Sequence, residues 1–478
     1  MASDGADLSR FDVIAVGGGF SGLVAACRAA QLGLKAAVLE QRPEARYPCS
    51  SRYSTGVFGV MGSSLMSPPE TLRRAILDGT GGLAKPELAA CIAQHARRAY
   101  EWLLAEGARF EPPPNFGAGS LDRSAHVLAP SRRFGAGLDW VGNGADLLMQ
   151  RLEANLLERG GHLSRGTKVE ALIVENGKCA GVEATRQERR LRIMAKAVVI
   201  ADGGFAANPA LVRRWITPHA DRVLARVGPG AKGDGILMAE AVGAAIGGFG
   251  AFYGHVHHRD AMTKPSLWPY PHFDAIGEVS LLVGPHGRRF TDEGLGGVPM
   301  ANAIATLPDP LSAFIFFDEA MWAGAPGKAG PVGCNPALIE GGGWMHSAPD
   351  IATLAERTGL PASALGDTVR RYNEAVARND FASVDPPRTT TRWRPLPLAT
   401  PPFHAVPLCA GVTGTMGGIE IDAQAQALRP DGSPFPCLYA VGTPVGHLEG
   451  GPRAGYVGGL AKGFILSLLA AEHIRSLE

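Results

Sequence analysis

The pattern of apolar and polar positions organises the chain from its first strand. Phe11-Asp12-Val13-Ile14-Ala15-Val16 is an almost continuous apolar run of strand length, and it stops at Gly17-Gly18-Gly19-Phe20-Ser21-Gly22. Leu23-Val24-Ala25-Ala26 then opens a helix, and Lys35-Ala36-Ala37-Val38-Leu39 is a second apolar strand ending at Glu40. Pro86 to Glu106 carries Leu88, Cys91, Ile92, His95, Ala96 and Tyr100 at helical spacing, and Gly144 to Arg159 carries Leu147, Leu148, Leu152 and Leu156. Both predict amphipathic helices that pack. Strand texture follows at Thr167 to Val174, Ala180 to Arg186, Arg190 to Ile193 and Ala197 to Ile200, with Asn176-Gly177 predicting a hairpin.

Gly230 to Ile236 opens a further helix that runs to about Val242, with Gly243 as its stop. The texture then changes. Tyr253, His255, His257, His258, Trp268, Tyr270 and His272 concentrate aromatic and imidazole groups among prolines, and a helix follows over Ala362 to Ala377. Pro401-Pro402 marks the return to strands and glycines: Thr415-Met416-Gly417-Gly418-Ile419-Glu420-Ile421-Asp422, then Leu438 to Gly442, then a last helix from Gly455 to His473. The chain therefore divides into residues 1–240, an inserted segment 241–398, and a returning segment 399–478. At 478 residues it exceeds the reach of one core.

Composition narrows the class. Apolar residues make up 46% and charged residues 19%, as in globular proteins, and a formal net charge of +1 gives no electrostatic case for nucleic acid or an anionic membrane. No apolar stretch reaches bilayer-spanning length, so no membrane span is expected. The seven cysteines stand singly with no C-x-x-C pair, which argues against structural zinc, iron–sulfur clusters and a disulfide framework. With a leader, Met1 to Asp7, that lacks a basic n-region and an apolar h-region, this predicts a cytoplasmic protein.

The chemistry starts at the glycine loop. Gly17 permits the tight turn, Gly19 lets the backbone approach a pyrophosphate, and Gly22 lets helix and strand pack closely. The helix start aims N–H groups at phosphate, and Glu40 is placed to accept ribose hydroxyls. This predicts a bound dinucleotide. Val198 to Phe205, an apolar strand running into Gly203-Gly204, offers a second close approach. Cys49-Ser50-Ser51-Arg52-Tyr53-Ser54-Thr55-Gly56 is either a small-residue lining for phosphate and ring edges or a turn-rich surface loop.

In order, the motifs "VGGGFSGL", "VVIADGGF", "AKGDGI", "TMGGIEID" and "LYAVGT" resemble the fumarate reductase/succinate dehydrogenase flavoprotein superfamily, most nearly its tricarballylate dehydrogenase-like and 3-ketosteroid dehydrogenase-like desaturases. The resemblance runs from Phe11 to about Leu469. It implies an α/β protein, a Rossmann-like FAD-binding domain from the two ends of the chain with an inserted α+β capping domain that holds the substrate. The residues it assigns to FAD, with those of the glycine loop, are Gly17, Gly19, Phe20, Ser21, Gly22, Glu40, Gln41, Ser54, Thr55, Gly56, Val169, Ala201, Gly203, Gly204, Asp234, Gly442, Thr443 and Val457. The histidine that links flavin covalently in relatives has no match in Cys49 to Ser54, so noncovalent FAD is expected.

The catalytic pattern departs from the resemblance. Arg289-Phe290-Thr291-Asp292-Glu293 is similar to "RFxNE", but the arginine that delivers the proton falls near Gly297, and the histidine before Thr-Met-Gly-Gly is Gly414. Arg289 and Glu293 are expected to form a buried structural pair, and His447 and Glu449 to support the site from behind. Arg453 matches an arginine that clamps a carboxylate, for which its planar fork is suited. Tyr253, His255, Tyr270 and Tyr456 are the expected acid/base candidates; Tyr253 and His255 share one face of an extended strand. No metal is expected, because His255-Val256-His257-His258 lacks a second spaced ligand group. The resulting expectation is an FAD-dependent dehydrogenase that desaturates a CH–CH bond beside a carbonyl or carboxylate of a small, carboxylate-bearing, cyclic oxo-acid-like substrate, with oxygen or a redox carrier as acceptor. The alternatives are the reverse enoate or fumarate-type reduction, a ketosteroid-type 3-oxo dehydrogenase, and a non-enzymatic flavin-binding protein.

Overall fold

In the computed structural model, residues 10–112, 126–131, 139–329, 333–390 and 393–477 are described, and the leader lies outside them. The strands used below are β1 (Arg10–Val16), β2 (Ala36–Glu40), β3 (His162–Arg165), β4 (Thr167–Glu175), β5 (Lys178–Arg186), β6 (Arg189–Ile200), β7 (Leu224–Ala225), β8 (Phe252–His258), β9 (Leu281–Val283), β10 (Phe314–Asp318), β11 (His346–Ala348), β12 (Phe403–Thr415), β13 (Gln426–Leu428) and β14 (Pro434–Ala440).

β1 is central because it is apolar on both faces. It pairs in parallel with β2 on one side and β6 on the other, and the sheet reads β13-β14-β6-β1-β2-β3, with β4 and β5 attached through β6. A strand covered on both sides needs a continuous apolar run, which Val13 to Val16 supplies. The helices Phe20–Gln31 and Gly459–Ser476 pack together beside it, with Phe20 and Phe464 ring centroids 5.3 Å apart. Asn176 and Gly177 both have positive φ, 51° and 75°, so the Asn-Gly turn is as expected. Arg190 to Ile193 and Ala197 to Ile200 form one strand, because Met194 and Ala195 stay in register with Arg10 and Phe11 of β1.

The second sheet has six strands, β7-β12-β10-β9, with β8 and β11 also on β12. β12 follows Pro401-Pro402 yet pairs with strands of the inserted segment. β8 is antiparallel to β12, with Tyr253 opposite Gly414 and a bulge between Tyr253 and Gly254. The helix expected from Gly230 begins at Asp234, after Gly233 in the left-handed region at φ 76°. The last helix begins at Gly459, because Gly458 at φ 125° cannot belong to it. Among the described residues no helix is long and apolar enough to cross a membrane.

Candidate active site

A cleft of ≈ 1030 Å³ opens where β1, β2 and β6 run out, at the carboxyl ends of parallel strands where such sheets bind ligands. Gly17, Gly19, Phe20, Ser21, Glu40, Gln41, Val169, Ala201, Gly203, Gly204, Asp234 and Thr443 line it, all expected on the cofactor. Gly22, Ser54, Thr55, Gly56, Gly442 and Val457 do not line it. Gly22 acts through packing: a Cβ there would lie 2.0 Å from the carbonyl oxygen of Gly17. Gly442 works similarly, against Ser21 Oγ at 2.6 Å.

The cleft is shaped for a dinucleotide. Gly17 sits at φ 101°, where a side chain would strain and meet Asp202. Glu40 accepts the Gly18 N–H at 2.8 Å and the Arg42 N–H at 2.8 Å, which fixes the carboxylate at the cleft wall. Burial raises its pKa, and those two N–H groups oppose the rise. Gly203 at φ 93° meets nothing within 4 Å on its open side. The loop at Cys49 to Ser54 is held from beneath by Arg52, fully buried between Asp146 at 2.9 Å and Glu153 at 3.1 Å. Removing one partner of such a buried pair typically costs ~3–5 kcal/mol. The loop's Ser51 Oγ accepts the Phe20 N–H at 3.0 Å, tying it to the glycine turn.

Sequence reasoning did not pick out Asp202. It lines the cleft, its Oδ2 accepts the Gly235 N–H at 2.7 Å, and its Oδ1 has no hydrogen-bond partner among the described residues. Burial, with nearby Asp234, lifts its pKa to about 7.

Thr413, Gly414 and Thr415 of β12 form part of the cleft wall, and the sheet continues from there to β8. On β8, Tyr253 and His255 lie on one face, as alternation along a strand requires. The Tyr253 hydroxyl is 3.1 Å from His255 Nε2, and His255 Nδ1 is 2.6 Å from Asp274 Oδ2. Asp274 Oδ1 also accepts the Val256 N–H at 2.9 Å. Burial alone would raise the Asp274 pKa, but His272, His255 and those hydrogen bonds hold it well below the usual carboxylate range. Burial pushes Tyr253 upward, with Arg226 pulling the other way.

Tyr456 completes the group. Its ring stacks on Tyr253 with centroids 3.7 Å apart and planes 15° apart. Its hydroxyl oxygen accepts the Gly459 N–H at 2.7 Å, which leaves the phenolic proton free to donate elsewhere. Glu449 accepts the N–H groups of Val457 and Gly458 and pairs with buried Lys462, so it fixes the segment that carries Tyr456. His447 pairs with Glu420 at 3.4 Å.

Other expected residues fall elsewhere. Arg289 and Glu293 form a buried pair at 2.5 Å that also engages Arg388, bracing the inserted segment. Arg453 is exposed in the turn after Gly451 and makes no hydrogen bond or ion pair among the described residues. Tyr270 is buried beneath the guanidinium of Arg226, 5.0 Å from its ring centre. His255, His272 and Asp274 place ligand-type atoms within 4.8 Å of one another, but His255 already spends Nδ1 on Asp274 and Nε2 on Tyr253. Asp274 and Arg226 escaped sequence reasoning, since no local pattern marks either.

A family model described as FAD binding domain matches residues 12–455. NADH:fumarate oxidoreductase of Klebsiella pneumoniae is 29% identical over 458 residues, covering 93% of this chain and 45% of that protein. The chain thus spans under half that relative's length. 3-Oxosteroid 1-dehydrogenase of Mycobacterium tuberculosis is 26% identical, covering 98% of each chain. Among solved structures, a 3-ketosteroid delta1-dehydrogenase from Sterolibacterium denitrificans in complex with 1,4-androstadiene-3,17-dione has a TM-score of 0.77 at 19% identity, covering 98% of this chain and 100% of that one. This last likeness is one of fold.

Proposed function

The chain belongs to the FAD binding domain family, within the fumarate reductase/succinate dehydrogenase flavoprotein superfamily, and is an FAD-dependent oxidoreductase of the type that acts on CH–CH donors; from that premise we propose that it desaturates a CH–CH bond beside a ketone. The observation that carries this reading is the chain Tyr253–His255–Asp274 with Tyr456 stacked on its first member.

Bound FAD supplies the hydride acceptor; the remaining work belongs to these side chains. Tyr456, its oxygen engaged by the Gly459 N–H, donates to the ketone oxygen and stabilises the charge that develops there. That makes the neighbouring C–H acidic. Tyr253 takes the proton, and its own proton passes to His255 Nε2 along the 3.1 Å contact. Asp274 holds His255 with its proton on Nδ1, so that Nε2 keeps the lone pair this transfer needs. The upward push on Tyr253 disfavours a standing tyrosinate, so the imidazole must accept as the phenol takes up the substrate proton.

The dehydrogenase direction is the better supported one. The fumarate-type arginine has no counterpart at Gly297, and the histidine position is Gly414, open on its side-chain face. We also propose that FAD is held noncovalently. No histidine lines the cleft among the described residues, and burial pushes the Cys49 thiol up to about 11, leaving it a poor nucleophile. Residues 1–240 and 399–478 supply the cofactor cleft in this reading, and 241–398, joined by Tyr456 of the returning segment, the substrate side. Seven unpaired thiols suit a reducing, cytoplasmic setting, with oxygen or a soluble redox carrier reoxidising the flavin.

The test mixes the yellow holoenzyme anaerobically with a panel of cyclic ketones and oxo-acids. Bleaching of the flavin with formation of a product lighter by two hydrogens supports the reading. A flavin that no ketone bleaches, but that unsaturated acids reoxidise rapidly after chemical reduction, overturns it in favour of the reductase.

A further inference from the structure

Arg226 is buried, 9% exposed, and its guanidinium has no carboxylate partner among the described residues. Its Nε donates to the Pro269 carbonyl at 3.1 Å and its Nη1 to Thr413 Oγ1 at 2.9 Å, while Nη2 makes no hydrogen bond among the described residues. Two bonds and the Tyr270 ring beneath it fix the orientation of the fork. A guanidinium held out of water without a counter-ion is costly, and sites that tolerate one are completed by an anion.

The surroundings point the same way. His257 Nε2, Trp268 Nε1 and His272 Nδ1 are buried without a hydrogen-bond partner among the described residues, and all three side chains come from β8 or from the segment around Tyr270. Orphaned polar nitrogens are uncommon in folded proteins, and the Trp268 indole N–H, on the residue before the Pro269 carbonyl that holds Arg226, is a donor without an acceptor; His257, which donates through Nδ1 to the Pro271 carbonyl, presents a bare Nε2, and His272 Nδ1 lies 3.7 Å from Asp274. The location is also defined. Thr413 and the neighbour in sequence, Val227, both line the cofactor cleft, and the field of Arg226 reaches Tyr253, His257 and His272.

We propose that Arg226 is the carboxylate anchor of the substrate, so that the substrate is an oxo-acid with its ketone at Tyr456 and Tyr253 and its carboxylate on Nη2 of Arg226. This rests on the reading of the tyrosine pair as the ketone site. It gives the anchoring role to Arg226 in place of Arg453, which stands exposed.

The test is a flavin-absorbance titration of the holoenzyme with 4-hydroxybenzoate, which carries a phenol oxygen at one end and a carboxylate at the other, against its methyl ester. The wild type should bind the acid more tightly than the ester by roughly tenfold to a hundredfold, the range of a charge-assisted hydrogen bond. Arg226→Met should abolish that preference, Arg226→Lys should retain part of it, and Arg453→Met should leave it unchanged. A wild type that does not prefer the acid overturns the proposal, and so does an Arg226→Met protein that keeps the preference. Loss of flavin from both Arg226 variants, with the acid and ester weakened equally, also overturns it, since Arg226 then serves the cofactor. Flavin reduction by unsubstituted cyclohexanone separates the two readings. If no ketone reduces the flavin while the preference for the acid persists, the desaturase reading falls and the anchor stands.

Discussion

Asp274 occupies the space that any side chain at Gly297 would need. A Cβ on Gly297 would lie 1.9 Å from Asp274 Oδ2, the same oxygen that meets His255 Nδ1. Gly297 opens the helix Gly297–Ala305, at the position where the resemblance puts a proton-delivering arginine. The carboxylate and the arginine side chain cannot share that volume. In the proposed mechanism proton handling falls instead to Tyr253 and His255, with the carboxylate behind them.

Asp274→Asn preserves shape but loses the acceptor that sets the imidazole tautomer, and should lower the rate of substrate-driven flavin reduction by ~10²–10⁴-fold. Gly297→Ala should act in the same direction by displacing Asp274. Both proteins should retain FAD, as read by their absorbance. An unchanged reduction rate in Asp274→Asn would remove the carboxylate from the mechanism.

Tyr456→Phe tests the other phenol. It deletes the donor to the ketone and the acceptor of the Gly459 N–H while keeping the stack on Tyr253. The reduction rate should fall by ~10²–10³-fold, as for loss of one oxyanion donor, with FAD binding intact. The check is the same anaerobic mixing experiment, with the acid titration of Arg226 repeated to confirm that binding survives.

His272 should make the protein acid-labile. Burial pushes its pKa down to about 3, so the folded state binds a proton less readily than the unfolded chain, whose histidine titrates near 6.5. Stability from this group is full above pH ~6.5 and is lost as pH falls toward 3, with a limiting slope of about 1.4 kcal/mol per pH unit. His272→Gln should flatten this dependence in urea unfolding series between pH ~6.5 and ~5. Equal slopes in the two proteins would contradict the burial argument.

Acid precipitation of the holoenzyme should release all of its flavin to the supernatant. Flavin retained in the pellet after washing would show a covalent bond and would direct attention to Cys49, the one thiol at the cleft wall among the described residues.

Much of the cofactor cleft was legible because its signals are local. Gly17, Gly19 and Gly22 lie within six residues and Glu40 closes the next strand, so spacing alone anticipated that Gly17, Gly19 and Glu40 line the cleft and that Gly22 packs against Gly17. The alternation of Tyr253 and His255 likewise survived into β8, since side chains two apart on a strand face the same way. Asp274 and Arg226 lacked such signals. Asp274 is 19 residues from His255, and it meets that histidine only because the chain after β8 folds back on it. Arg226 sits in an unremarkable Ala225-Arg226-Val227 stretch, and its burial depends on Pro269, Tyr270 and Thr413, all far away in sequence. Arg453 shows the converse: a position that matched by motif order stands in solvent when the turn around it is built.

The most direct measurement compares wild type with Tyr253→Phe in anaerobic single-turnover flavin reduction by an oxo-acid, alongside exchange of the hydrogen next to its ketone in deuterated water. Tyr253→Phe should keep FAD and substrate binding, lose the exchange, and reduce its flavin ~10²–10⁴-fold more slowly. A Tyr253→Phe protein that exchanges that hydrogen and reduces its flavin at the wild-type rate would contradict the central claim.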